Sequence, residues 1–172
     1  MANEVHNFMT GPLWLKLKTD VADFRLFNRH DLVAAAYFHI RRLLLVRPGW
    51  MCRVGLETAV GPADLVLSLH GHFQSLLQLE FLLHVNQPSY FPAEELDGRM
   101  ERLRRILAVL EKDKPGRAYL FGVFDTTESW LFPNETMYEK QACSWVPINC
   151  REFPRHGEWR AKWDKTARPS TT

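Results

Sequence analysis

Gly61-Pro62-Ala63-Asp64-Leu65-Val66-Leu67 and, further on, Leu76-Leu77-Gln78-Leu79-Glu80-Phe81 decide how this chain reads. Each run is apolar apart from polar groups where a strand would bury them. Gln78 and Glu80 follow Asp64 by 14 and 16 residues. Gly61-Pro62 is a turn signal, so Trp50 to Val60 predicts one strand and Ala63 to Leu69 a second. His70-Gly71-His72 reads as a loop, and a third strand is expected from about Leu76 to Val85. Long apolar strands with few polar breaks are what a sheet covered by helices requires.

Upstream, Leu32, Ala36, Ile40, Leu43 and Leu44 fall on one helical stripe, which predicts a helix over Asp31 to Leu45. Asn28 or Asp31 caps its start, and Pro48-Gly49 ends it. Downstream, Pro88 to Pro92 is a loop. Leu96, Met100, Leu103, Leu107 and Leu110 then form the buried stripe of a second helix over Ala93 to Lys112. Pro115-Gly116 closes that helix, and Arg117 to Asp125 reads as a fourth strand. A short strand is expected near Trp145 to Ile148, and Trp159 and Trp163 predict a short final helix. Residues 1–27 read as a lead-in, with Leu13-Trp14-Leu15-Lys16-Leu17 alternating like a short strand; 28–165 read as one domain, and 166–172 as a frayed tail. The order helix, three strands, helix, strand predicts an α/β fold with a central mixed sheet flanked by helices.

The totals agree with one globular domain. The chain has 172 residues, 46% of them hydrophobic and 24% charged, with six Trp and eleven Phe for a core. No apolar run is long enough for a membrane span, and the first twenty residues lack a secretory leader pattern, so a cytoplasmic protein is expected. Cys52, Cys143 and Cys150 offer neither a disulfide framework nor zinc spacing. Net charge is only +2, but arginines cluster: Arg41, Arg42 and Arg47; then Arg99, Arg102, Arg104 and Arg105; then a basic C-terminus. Such clusters either follow a phosphate backbone or form solvated faces.

The chemistry concentrates on Asp64, Gln78 and Glu80. Residues two apart on a strand share a face, so Gln78 and Glu80 project together. If the second and third strands pair, Asp64 reaches the same end of the sheet. Oxygen ligands converging there suit Mg²⁺ or Mn²⁺, which polarises a phosphodiester and activates water. Glu57 on the preceding strand is a further candidate ligand. A carboxylate inside an apolar run is costly without a partner, so Glu80 needs a metal, an arginine or solvent at a sheet edge. His70, His72 and His84 are weaker candidates that also suit turns or a satisfied core position. No Ser/His/Asp arrangement, phosphate-binding glycine loop or nucleotide fingerprint is present.

The element order, the Gly61-to-Leu67 run and the acidic third strand resemble the PD-(D/E)XK nuclease superfamily. The resemblance covers roughly Asn28 to Asp125, with its motif core at Glu57 to Glu80. Trp145-Val146-Pro147-Ile148-Asn149-Cys150 is also similar to tails on small bacterial members. The resemblance implies a restriction-endonuclease-like core, with Asp64 as the metal-binding aspartate and the backbone carbonyl of Leu79 as a further ligand. The family places an acid, any residue and Lys on the third strand; here Gln78, Leu79 and Glu80 stand there. A shift of two residues puts Glu80 in the acid slot and Leu82 in the Lys slot. Many members carry a Glu near the start of the first helix, where Asp31 or His30 stands in this chain. Arg41, Arg42, Arg102 and Arg105 would seat nucleic acid, and a homodimer is consistent with double-strand cutting. Two readings follow. One is a Mg²⁺- or Mn²⁺-dependent nuclease using Asp64, Gln78 and Glu80. The other is a catalytically inactive relative that binds nucleic acid or a protein, with the Tyr90-Phe91 loop as one possible contact.

Overall fold

The computed structural model describes residues 2–83, 93–110, 115–126 and 138–167. A six-stranded sheet runs in the order β1-β2-β3-β4-β6-β5. β1 (Trp50–Thr58), β2 (Gly61–Leu69) and β3 (His72–Phe81) form an antiparallel meander. β4 (Arg117–Phe124) lies parallel to β3, and β6 (Cys143–Asn149) lies parallel to β4. The short β5 (Tyr138–Lys140) closes the far edge antiparallel to β6. The expected α/β layout with a mixed sheet is therefore present. The third strand begins earlier than expected, because the turn is confined to His70 and Gly71, both at positive φ.

Strand periodicity sorts the core into two layers. Leu65, Leu67, Leu77, Leu79, Tyr119, Phe121, Val123, Val146 and Ile148 face one side. Val66, Leu76, Ala118, Leu120, Phe124 and Trp145 face the other, against α4 (Ala93–Leu110). Leu96, Met100, Leu103 and Leu107 supply the α4 stripe, as their spacing predicts.

The first layer holds α1 (Ala2–Phe8), α2 (Trp14–Ala22), α3 (Arg29–Leu43) and α5 (His156–Thr166). Here the reading of the N-terminus is corrected. Leu13 to Leu17 is not a strand: Met9–Leu13 is a π-helical turn joining α1 to α2. Strand alternation would bury Leu15, yet Leu15 is 57% exposed while Leu13 and Leu17 are fully buried. The stripe that matters is Val5, Met9, Leu13, Leu17 and Val21, all buried at four-residue intervals. On an α-helix a four-residue step overshoots one turn, so this stripe would drift off the core. One wider π turn restores its direction. Pro12, which has no N–H to donate, sits in that turn. Trp14 then ties α2 to β6, its indole N–H donating to the Pro147 carbonyl at 2.8 Å.

α5 is the expected final helix. Trp159 and Trp163 are buried one turn apart, with ring centroids 6.4 Å from each other. Asp125, at the end of β4, holds the helix down: its carboxylate takes His156 Nε2 at 2.8 Å and Arg160 at 3.1 Å. Arg160 thus belongs to a buried ion-pair network rather than to a free basic tail. The three cysteines are free thiols; burial pushes the Cys52 thiol up to about 11 and holds the Cys150 thiol well above its ordinary value, so neither is a reactive thiolate.

Candidate functional site

The β2–β3 ladder carries a register shift between Leu67 and Ser68, and its last pair is Leu65 with Leu77. Beyond that pair a side chain takes over from the backbone: Asp64 Oδ2 accepts the Leu79 N–H at 2.8 Å. A buried amide must find an acceptor, and a carboxylate at the start of β2 supplies one. Asp64 is itself 7% exposed. Its position at the end of the paired region follows from Gly61-Pro62, which begins the strand just before it.

The other oxygen of Asp64 is held by Arg29. The guanidinium donates through Nη2 to Asp64 Oδ1 and through Nε to the Leu79 carbonyl at 2.9 Å. Arg29 is the first residue of α3, and that helix start is built firmly. The Asn28 side chain accepts the Asp31 N–H at 2.9 Å, and the Asp31 carboxylate accepts the Phe27 N–H at 2.9 Å. This reciprocal cap gives Asn28 and Asp31 local jobs. A cation at a helix N-terminus opposes the helix dipole, so Arg29 needs the counter-charge that Asp64 provides. Burial pushes the Asp64 carboxyl above its ordinary value; the Leu79 amide, Arg29 and Arg102 pull the other way.

Gln78 and Glu80 do share a face, and that face is turned toward α4. They line a small cavity with Arg99, Arg102, Leu103, Ile106 and Leu120. Glu80 meets Arg99 at 2.5 Å, and Arg99 also meets Glu95 at 2.6 Å. Of the partners a half-buried Glu80 could take, the chain supplies an arginine. Gln78 Oε1 is buried without a hydrogen-bond partner among the described residues. Arg102 lies against Gly61, where an added Cβ would stand 2.6 Å from its Nη2. That brings Arg102 within electrostatic reach of Asp64.

Asp64 opens instead onto a separate groove between α3 and β1. Arg29, His30, Val33, Ala34, Tyr37, Val54 and Gly55 line it together with Asp64. Glu57 is exposed on β1, outside both hollows. Arg41 and Arg42 are exposed in the last turn of α3, where cations favour the helix dipole. Arg104 and Arg105 bind Glu101, at 2.7 Å and 3.2 Å. His70 forms a turn, its N–H bonded to the Gly49 carbonyl, and His72 pairs with Leu69. His84, Tyr90, Phe91 and the tail from 168 onward lie outside the described residues. Among the described residues no group of three or more His, Cys, Asp or Glu side chains is placed to hold a metal ion.

Arg29 is the residue that sequence reasoning passed over. In Asn28-Arg29-His30-Asp31 the anion and the imidazole are the candidate ligands, yet it is the cation between them that holds Asp64. The available signal was electrostatic: the partner argument that the apolar run makes for Glu80 applies equally to an aspartate opening an apolar strand at Asp64.

No protein-family model matches this chain, and no curated protein sequence matches it. Two solved structures are similar in part. A chain in the assembly of Thermococcus gammatolerans McrB AAA+ hexamers with bound McrC is 13% identical with a TM-score of 0.38, over 78% of this chain and 32% of that one. Pyrococcus furiosus SfsA, in a complex with Ca²⁺, is 13% identical with a TM-score of 0.35, over 80% of this chain and 54% of that one. This chain therefore spans about a third and about half of the chains it matches. No helix among the described residues is long and apolar enough to cross a membrane.

Proposed function

We propose that this chain is a nuclease-fold relative in which Arg29 stands where a divalent cation would be held, and that it binds nucleic acid without cutting it. The observation that carries this reading is the grip of one guanidinium on both the Asp64 carboxylate and the Leu79 carbonyl. Those are two of the oxygens assigned to Mg²⁺ or Mn²⁺. Gln78 adds no charge, and Glu80 is bound to Arg99. The residues present do not fit a divalent ion: Arg29 already occupies the Asp64 carboxylate and the Leu79 carbonyl, and Arg99 occupies Glu80. The part-exposed Arg29 and the exposed Arg41 and Arg42 are the charges that would attract phosphate.

Arg29 is part-exposed at one end of the α3–β1 groove. Arg41 and Arg42 sit at the other end of α3, about 18 Å along the helix axis from Arg29. Neither makes an ion pair with any described residue, so both are available to phosphates. Tyr37 lines the groove between them and offers an aromatic face.

Titration of Mn²⁺ into the wild type is expected to give no heat of binding, and DNA and RNA are expected to survive incubation with either metal. A single-stranded oligonucleotide is expected to bind with an affinity that falls steeply with salt. Replacing Arg41 and Arg42 by Ala should reduce the slope of log K against log salt by about 1 to 2. Mn²⁺ binding that disappears in Asp64→Ala, accompanied by cleavage, would reject this reading in favour of an active nuclease.

A further inference from the structure

Phe38 is 54% exposed, and among the described residues it is the one exposed Phe, Tyr or Trp side chain. Its place on α3 explains why. Ala36 and Ile40 are fully buried. At about 100° per residue, Phe38 lies about 160° round the helix from each of them, so it points away from the core. It stands at the rim of the α3–β1 groove: Ala34, one turn earlier, and Tyr37, its neighbour, both line that groove.

The surroundings of the ring are basic and open. Arg41 and Arg42 follow at three and four residues, one to either side of Phe38 on the helix surface, and both are exposed. One turn earlier stand Ala34 and Ala35, whose methyl groups are too small to cover the ring. The ring is nevertheless steadied. It meets the His39 imidazole at 70°, with centroids 5.4 Å apart, and that imidazole is held by Asp20 Oδ2 at 2.6 Å.

We propose that the nucleic acid this chain binds is single-stranded, and that Phe38 is the platform on which one of its bases stacks, with Arg41 and Arg42 on the flanking phosphates. This inference rests on the nucleic-acid reading above. A paired duplex keeps its bases stacked on one another and would show Phe38 only sugar and phosphate. An unpaired base offers the ring a π-face of its own size and brings a phosphate to either side, which is the pattern of one aromatic ring between two guanidinium groups. A lipid surface fits less well, because one ring flanked by alanines and arginines is too narrow an apolar face to enter a bilayer.

The test is fluorescence anisotropy with three probes of equal length: oligothymidylate, a DNA duplex, and a strand of abasic phosphodiester units. The proteins are the wild type, Phe38→Ala and Phe38→Trp; alanine at an exposed helical position keeps the helix, which circular dichroism checks. The wild type is expected to bind oligothymidylate more tightly than the other two probes at the same salt. Phe38→Ala should lose about tenfold on oligothymidylate with the slope of log K against log salt unchanged, and nothing on the abasic strand. Phe38→Trp should return to within about threefold of wild type. Oligothymidylate binding that Phe38→Ala leaves unchanged overturns the proposal while the nucleic-acid reading stands. So does an equal loss on the abasic strand, or a Phe38→Trp as weak as Phe38→Ala. A wild type that binds none of the three probes overturns both, and its binding to phosphatidylserine vesicles instead would assign Phe38 to a lipid surface.

Discussion

Trp145→Ala is expected to cost about 3–5 kcal/mol of folding stability, read as a lower midpoint in urea unfolding. Trp145 is fully buried between the sheet and α4. Its ring stacks on Phe124, with centroids 6.1 Å apart at 19°. It lies over Gly122 on the neighbouring strand, where an added Cβ would stand 2.2 Å from the indole Cη2. The glycine is what lets the indole lie flat along β4. Gly122→Ala should therefore overpack the same spot and cost about 1–3 kcal/mol by itself. The two changes touch one space, so their costs should not add: in the Trp145→Ala background, Gly122→Ala should become close to neutral. Equal cost in both backgrounds would show that the glycine serves the backbone and not the indole.

The strands and helices from Asn28 to Asp125 were legible because burial on both faces leaves a simple record. Leu65, Leu67, Leu77 and Leu79 alternate with residues that face α4, and α4 itself shows a clear stripe. The N-terminal helices were missed because their stripe repeats every four residues through Pro12, and no single straight α-helix would keep that pattern on one face. Proline inside a run argues for a break, and only the π turn reconciles it with a continuous helical segment. β5 was missed for a different reason: three residues carry no period.

The candidate site was legible in part. Sequence spacing put Asp64 at the start of β2 and put Gln78 and Glu80 on one face of β3, and the structure agrees on both points. What spacing could not give was which face Asp64 would address. That depends on where the β2–β3 ladder ends, and on Asp64 turning to the Leu79 amide rather than to the α4 side. The arginines were counted as surface charge because sequence distance hides their targets. Arg99 lies 19 residues beyond Glu80 and Arg29 lies 35 before Asp64, yet each finds its carboxylate across the fold.

Asp64→Ala is expected to destabilise the fold by about 1–3 kcal/mol, because it strips the buried Leu79 amide of its acceptor. It also leaves Arg29 beside the α3 N-terminus with no counter-charge. Asp64→Asn keeps an acceptor for the Leu79 N–H but also leaves Arg29 without its counter-charge, so it should cost less than Asp64→Ala. The pH dependence separates the two effects. Burial holds the Asp64 carboxyl above its ordinary value in the folded chain. Between the unfolded value and that raised one, the folded state binds more protons than the unfolded state, so stability falls as pH rises. The contribution is fully present below the ordinary carboxylate range and is lost as pH climbs through the folded value. Asp64→Asn removes the proton and should flatten that part of the profile, which urea unfolding at a series of pH values measures directly. The sign of the Ala variant carries the larger meaning. A carboxylate kept only to hold a metal is a liability in a chelating buffer, and its removal should stabilise the chain. A carboxylate that closes the β2–β3 ladder and neutralises Arg29 is part of the fold, and its removal should weaken the chain with or without metal.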